Sequence, residues 1–210
     1  MKTEVVKGYR FVTNDLRSKH GAVRWRVGEW QHVGGELSLC NLGFHACKEP
    51  TDSLEYVFGE RWFSVEAKGT FLFGDDKFCC SDMRLVKEIP VTVIKRWAVE
   101  CAKHVLPIYE KHYPNDNRPR EAIDAAERYL ADPSEENLKN LRDAAWDAAR
   151  DAAWVAARDA DRVAAWVAAW DAAWVAARAA AHVAAWTAEI KWQKRLLNRL
   201  IKQALKEARR

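Results

Sequence analysis

Over residues 61–74, RWFSVEAKGTFLFG, the side chains alternate. Trp62, Ser64, Glu66 and Lys68 fall on one side, Phe63, Val65 and Ala67 on the other. A period of two predicts a strand. Shorter alternations in YRFVTND (9–15) and AVRWRVGEW (22–30) predict two more strands. Gly34-Gly35 and Gly74-Asp75-Asp76 mark turns. Residues 49–59, EPTDSLEYVFG, predict a short helix, capped by Thr51 or Asp52, with Leu54, Tyr56 and Val57 as its apolar face. All nine glycines lie in this half, the last being Gly74.

From residue 91 the pattern changes to helical. The segment 91–113 begins as a strand or a helix and is helical by Arg96. Pro107 lies inside it, where a proline kinks a helix. A loop follows, then a helix with Pro119 in its first turn, where a missing N–H costs nothing. That helix ends near Asp132-Pro133. Ser134 caps the next, with Glu135 and Glu136 in its first turn. No proline or glycine follows Pro133. The fold class predicted is α+β: a strand-rich module over residues 1–92, then an alanine- and tryptophan-rich helical bundle over 93–210.

Residues 143–186 fall into fours, DAAW, DAAR, VAAW and their variants, with Trp, Arg or His in the last slot. Alanine makes helix the expectation. Four residues turn a helix by about 400°, so a tetrad stripe drifts by about 40° per repeat and spirals round the rod. A coiled coil repeats every 3.5 residues and is excluded. The rod is expected to break at RDADR (158–162) and RAAAH (178–182) and to pack on itself. Paired alanines let helices approach closely, and Trp rings fill the space between. Seven tryptophans from Trp146 to Trp192 exceed what such short helices bury, which predicts a homo-oligomer.

The same slots admit a second reading. Aromatic faces and guanidinium groups together suit a nucleotide-like small molecule. The candidate ligand-binding residues are Trp154, Arg158, Arg162, Trp166, Trp170, Trp174, Arg178, His182 and Trp186, with Arg118 and Arg120 of the DNRPR loop. For those last two the alternative is that they and Asp116 lock the loop onto the bundle.

Charge and cysteine content narrow the classes. The net charge is +4, yet residues 189–210 carry eight Lys/Arg against two Asp/Glu. This basic end is either a solvated helix face or a site for phosphates or an acidic partner. Nucleic acid is not the expected partner. The first residues, MKTEVVKGYR, have no apolar run, and the run Val163–Trp170 is far short of the ~20 residues a bilayer needs. Five cysteines with no export signal predict reduced thiols and a cytoplasmic protein with no membrane contact.

At residues 104–130, HVLPIYEKHYPNDNRPREAIDAAERYL, and at AEIKWQKRLL (188–197), the chain resembles an all-α family of immunity proteins of bacterial toxin systems. The resemblance spans roughly 96–205. It implies neutralisation of a toxin by binding, without catalysis. Residues 37–57, with RWFSVEAKG and DDKFCCSDMRLVKEI, resemble an uncharacterised phage domain. Its C-x-x-G-F-H-x-C box and P-x-D helix are matched by Cys40, Gly43, Phe44, His45, Cys47, Pro50 and Asp52. Together the two resemblances imply a role in phage–bacterium conflict in the host cytosol.

Other chemistry is weaker. Cys40, His45 and Cys47, with Cys79 or Cys80, lack the spacing of a zinc site, and buried cysteines also serve as small hydrophobes. A Cys47–His45 nucleophile pair has no orienting third group. The G-F-H turn is faintly similar to ADP-ribosyltransferase-like folds, but no Arg–Ser–Glu set accompanies it. No phosphate-binding loop or hydrolase motif occurs. The expectation is a non-catalytic protein without cofactor or metal, acting by sequestration. The ligand is either a nucleotide-like signalling molecule or a toxin or defence effector protein. A nucleotide-processing enzyme in residues 1–92 is the remaining alternative.

Overall fold

The computed structural model describes residues 4–19, 23–39, 41–57, 59, 61–149 and 183–208, with backbone only at 112, 148–149 and 183–186. They fall into two compact units, Met1–Val93 with Leu197–Arg210, and Ile94–Leu196. An antiparallel sheet comes first and helices follow, an α+β arrangement.

The first unit contains β1 (Val6–Val12), β2 (Gln31–His32), β3 (Phe44–Ala46), β4 (Arg61–Phe73) and β5 (Phe78–Ile89), with α1 (Pro50–Ser53) between β3 and β4. The strand order is β1-β4-β5-β2, and β3 also pairs with β5. β4 and β5 form the long hairpin expected from the alternation at 61–74. Its register shifts between Lys68 and Phe71. Gly69 lies in that shift at φ +84°, where a Cβ would collide with Ser81 Oγ.

The sheet also curls back on itself. Tyr9 N donates to Cys47 O (2.8 Å) and Cys47 N to Tyr9 O (2.9 Å), joining the residue after β3 to β1. Gly8 makes this possible, because a Cβ there would lie 2.8 Å from Cys47 O and 2.9 Å from Phe78 Cε1. Val12, Phe63, Val65, Ala67, Phe78, Met83 and Leu85 form the core inside, with Trp25 and Phe44. Trp62, on the other side of β4, is buried too. It stacks on Phe11 (centroids 5.6 Å apart) and donates from Nε1 to Ser53 Oγ (3.1 Å).

Two expectations are corrected here. Residues 22–30 form no strand among those described. Arg24 makes one isolated bridge to Arg17, and Gly28, at φ +87°, turns the chain. The segment buries Trp25 in the core with Val23 packed beside it, while Arg24, Arg26, Val27 and Glu29 face solvent. Residues 49–59 form only α1 and a 3₁₀ turn, Leu54–Tyr56. Glu49 is the N-cap and Pro50 opens the helix. Pro50 and Ser53 are its buried members, while Tyr56 and Val57 are exposed.

The helices are α2 (Thr92–His112), α3 (Arg118–Ala131), α4 (Glu135–Ala149) and α5 (Val183–Glu207). α2 starts as helix at once and runs on through Pro107. Pro119 lies in the first turn of α3, which stops at Asp132. Ser134 Oγ accepts from Asn137 N (3.3 Å) at the start of α4. Val99, Ala125, Ala126 and Leu141 form the core between α2, α3 and α4. α4 carries the first tetrad and α5 resumes at Val183. The expected breaks at 158–162 and 178–182 lie outside the described residues.

α5 contributes residues to both units. In the second, Trp97 Nε1 donates to Gln193 O (3.0 Å), His104 Nε2 lies 3.2 Å from Glu189 Oε2, and the His104 ring stacks on Trp192 at 3.9 Å. In the first, Lys87 Nζ donates to Leu205 O (2.7 Å). Among the described residues no helix is long and apolar enough to cross a membrane.

Candidate recognition site

The loop between α2 and α3 is built around one carboxylate. Asp116 Oδ1 accepts from the backbone N (3.1 Å) and Nε (2.8 Å) of Arg118. Its Oδ2 accepts from Arg118 Nη2 (2.7 Å) and from Tyr109 Oη (2.7 Å). The Asn117 side chain does not cap α3, so Asp116 satisfies the first free N–H of the helix in its place. Hydrogen bonds from Arg118 first, then Tyr109, hold the Asp116 carboxyl well below the usual carboxylate range. The bond to Asp116 in turn pushes the Tyr109 phenol up.

A second pair lies beside it. Arg120 donates from Nε to Glu110 Oε1 (2.7 Å). Arg118 Nη1 also reaches Asp147 O (3.5 Å), tying the loop to the last turn of α4. Arg118 and Arg120 are thus both matched by carboxylates, and the loop is locked by its own charges.

Large apolar side chains are exposed on the loop, at the end of α2 and on α4. Tyr113 packs on Tyr109 (centroids 4.9 Å apart) yet is 59% exposed. Trp146, one residue before Asp147, is 57% exposed, and Ile108 is exposed as well. Tyr113, Pro114, Asn115, Asp116, Asn117, Arg118 and Glu121 line a shallow groove of about 630 Å³. Residues 113–149 carry nine Asp/Glu against five Lys/Arg, so the surroundings are acidic. A rigid frame bearing Tyr, Trp and Arg is the composition of a protein-binding hot spot. Nothing in it activates a nucleophile.

Of the sequence-predicted ligand residues, the structure places Arg118 and Arg120 at this loop. Trp154, Arg158, Arg162, Trp166, Trp170, Trp174, Arg178 and His182 lie outside the described residues, and Trp186 falls on α5 with its side chain undescribed. Tyr109, Tyr113 and Trp146 were not singled out. Tyr109 and Tyr113 lie within the segment 104–130 that carries the family resemblance, and Trp146 closes the first tetrad, but solvent exposure has no signature in a pattern.

The described cysteines of the first unit are interior. Cys47, Cys79, Cys80 and, in α2, Cys101 are buried and outside any disulfide among the described residues, and burial pushes the Cys47 and Cys80 thiols up to about 12. A thiol so disfavoured as thiolate is a poor nucleophile. Gly43, at φ +124°, lets the chain pass Cys79, whose Sγ a Cβ would strike. Phe44 and Ala46 enter the core, while burial first, then Arg10, holds the His45 imidazole below its ordinary value. Among the described residues no group of three or more His, Cys, Asp or Glu is placed to hold a metal.

Comparison with known families yields two matches. A model described as a domain of unknown function (DUF7666) matches residues 6–96. A model described as "Imm-5 like putative immunity protein" matches residues 84–192. No curated protein and no solved structure matches the chain. The second match ends at Trp192, the residue that stacks on His104. It spans more than half of the sequence and includes the whole locked loop, and on that ground the chain belongs to the Imm-5-like putative immunity protein family.

Proposed function

We propose that the protein acts as an immunity protein by binding and blocking a toxin protein through the Tyr113–Trp146 surface. The observation that carries this reading is the exposed Tyr113 on a loop already locked by Asp116, Arg118 and Tyr109, with the exposed Trp146 on α4, next to the Asp147 carbonyl that Arg118 reaches. Pre-ordering lowers the entropy cost of association. The acidic surroundings fit a basic surface on the toxin, such as one that binds nucleic acid. Arg118 and Arg120, each already held by a carboxylate, support a positioning role over capture of a free phosphate.

The test is co-expression with a toxin domain from a neighbouring gene, read as growth rescue and as affinity by calorimetry. Wild type restores growth. The double variant Tyr113→Ala/Trp146→Ala keeps its helical circular dichroism and loses roughly 30-fold or more in affinity, the weight of a hot-spot residue. Equal rescue by the double variant rejects this surface. A retained adduct of nucleotide mass in native mass spectrometry, with no toxin complex, transfers the role to a small molecule.

A further inference from the structure

Arg10 projects from β1 into the curled sheet, on the same side as Gly8 and Val12. Its guanidinium lies over the Trp25 ring, 4.6 Å from the centroid. Nη2 donates to Ser18 Oγ (3.2 Å) and Nη1 to Met83 Sδ (3.5 Å). Ser18 Oγ also accepts from Trp25 Nε1 (3.0 Å), so one hydroxyl organises both groups. Nε is shut off from solvent and has no hydrogen-bond partner.

No carboxylate pairs with Arg10 among the described residues. Burial lowers its pKa only to about 10, so it is cationic at neutral pH. A buried cation with an unmatched N–H is costly. A sulfur atom and an aromatic face repay part of that cost, and an anion repays the rest. The residue as a whole is half-buried, so the site borders solvent. Trp25 also lines a groove of about 680 Å³ with Arg24, Arg26 and Arg61, of which Arg26 pairs with Glu29 and Arg61 with Glu88.

We propose that Arg10, Trp25 and Ser18 form an oxyanion site inside the first unit, which takes the phosphate or carboxylate group of a small molecule. A ligand oxyanion supplies Arg10 with the countercharge that the fold leaves out. The site is separate from the Tyr113–Trp146 surface and does not depend on it.

The test is titration of the full chain with inorganic phosphate, and separately with acetate, at ionic strength matched by chloride. The readout is the Trp25 Nε1–Hε1 resonance, which is bonded to Ser18 beside Arg10 and is present in every variant. The expected result is saturable movement of that resonance with at least one anion, and phosphate against acetate identifies the chemistry. Arg10→Met weakens binding by about tenfold or more, the scale of one hydrogen bond to a charged group. Arg10→Lys keeps the charge without Nε, is also weakened, and serves if the Met variant does not fold. No saturable movement with either anion overturns the site, as does equal affinity in the variants. Toxin binding unchanged by Arg10→Lys shows that the two surfaces act apart.

Discussion

The two units handle charge in opposite ways. In the sheet unit most aromatic side chains are turned inward, Tyr56 and Phe73 excepted, and an arginine points into the core without a carboxylate among the described residues. In the helical unit the arginines of the α2–α3 loop are matched within the loop, and aromatic side chains face solvent. Matched charges at an exposed loop make shape. An unmatched charge in an interior makes a demand on a ligand. This difference separates a surface suited to a protein from a pocket suited to an ion.

The largest effect expected from breaking this contrast is in the sheet unit. Trp62 is fully buried, stacked on Phe11 and bonded to Ser53. Trp62→Ala is expected to cost about 3–5 kcal/mol. Urea denaturation followed by near-ultraviolet circular dichroism reads it, and a cost below about 1 kcal/mol would refute the packing described.

A smaller effect is expected at Asp116. Its carboxyl is held below the usual range in the folded state, so the unfolded state binds the proton more readily. Stability from this group is complete above the unfolded value near 4 and is lost as pH falls below it. Asp116→Asn is expected to cost about 1 kcal/mol or less at pH 7, because the pair is partly solvated. It also flattens the decline below about pH 4. Thermal melts of both proteins from pH 2 to 7 check this, and parallel curves would remove Asp116 as the hub.

The smallest effect is expected at Trp146. Its exposure predicts that Trp146→Ala changes stability by less than about 0.5 kcal/mol. A larger loss in the same melts would make Trp146 a packing residue and would weaken the toxin-binding proposal.

Much of the secondary structure was legible. The alternation at 61–74, the first-turn Pro119, the stop at Asp132 and the Ser134 cap are local signals, written by backbone geometry and hydrogen bonding within a few residues. The segment 22–30 misled, because Trp25 enters the core from a loop and an alternating pattern does not report whether a partner strand exists. The candidate site was half legible. DNRPR stood out as a ligand site with a charge-locked loop as the alternative, and the pairs Arg118–Asp116 and Arg120–Glu110 fit the alternative, but the role of Tyr109 depends on a bond to Asp116 across the end of α2.

The sequence by itself determined the change from a sheet to helices, the family motifs, and the uneven distribution of charge. Periodicity, proline and glycine placement, and residue chemistry are all read within a short window. Tertiary structure alone decided which tryptophans are buried and which displayed, that Arg10 faces inward without a carboxylate, and that the basic residues after Leu197 belong with the sheet unit. Burial and charge pairing are set by residues distant in sequence. Lys87 reaching Leu205 and Tyr9 reaching Cys47 are contacts that no local pattern encodes.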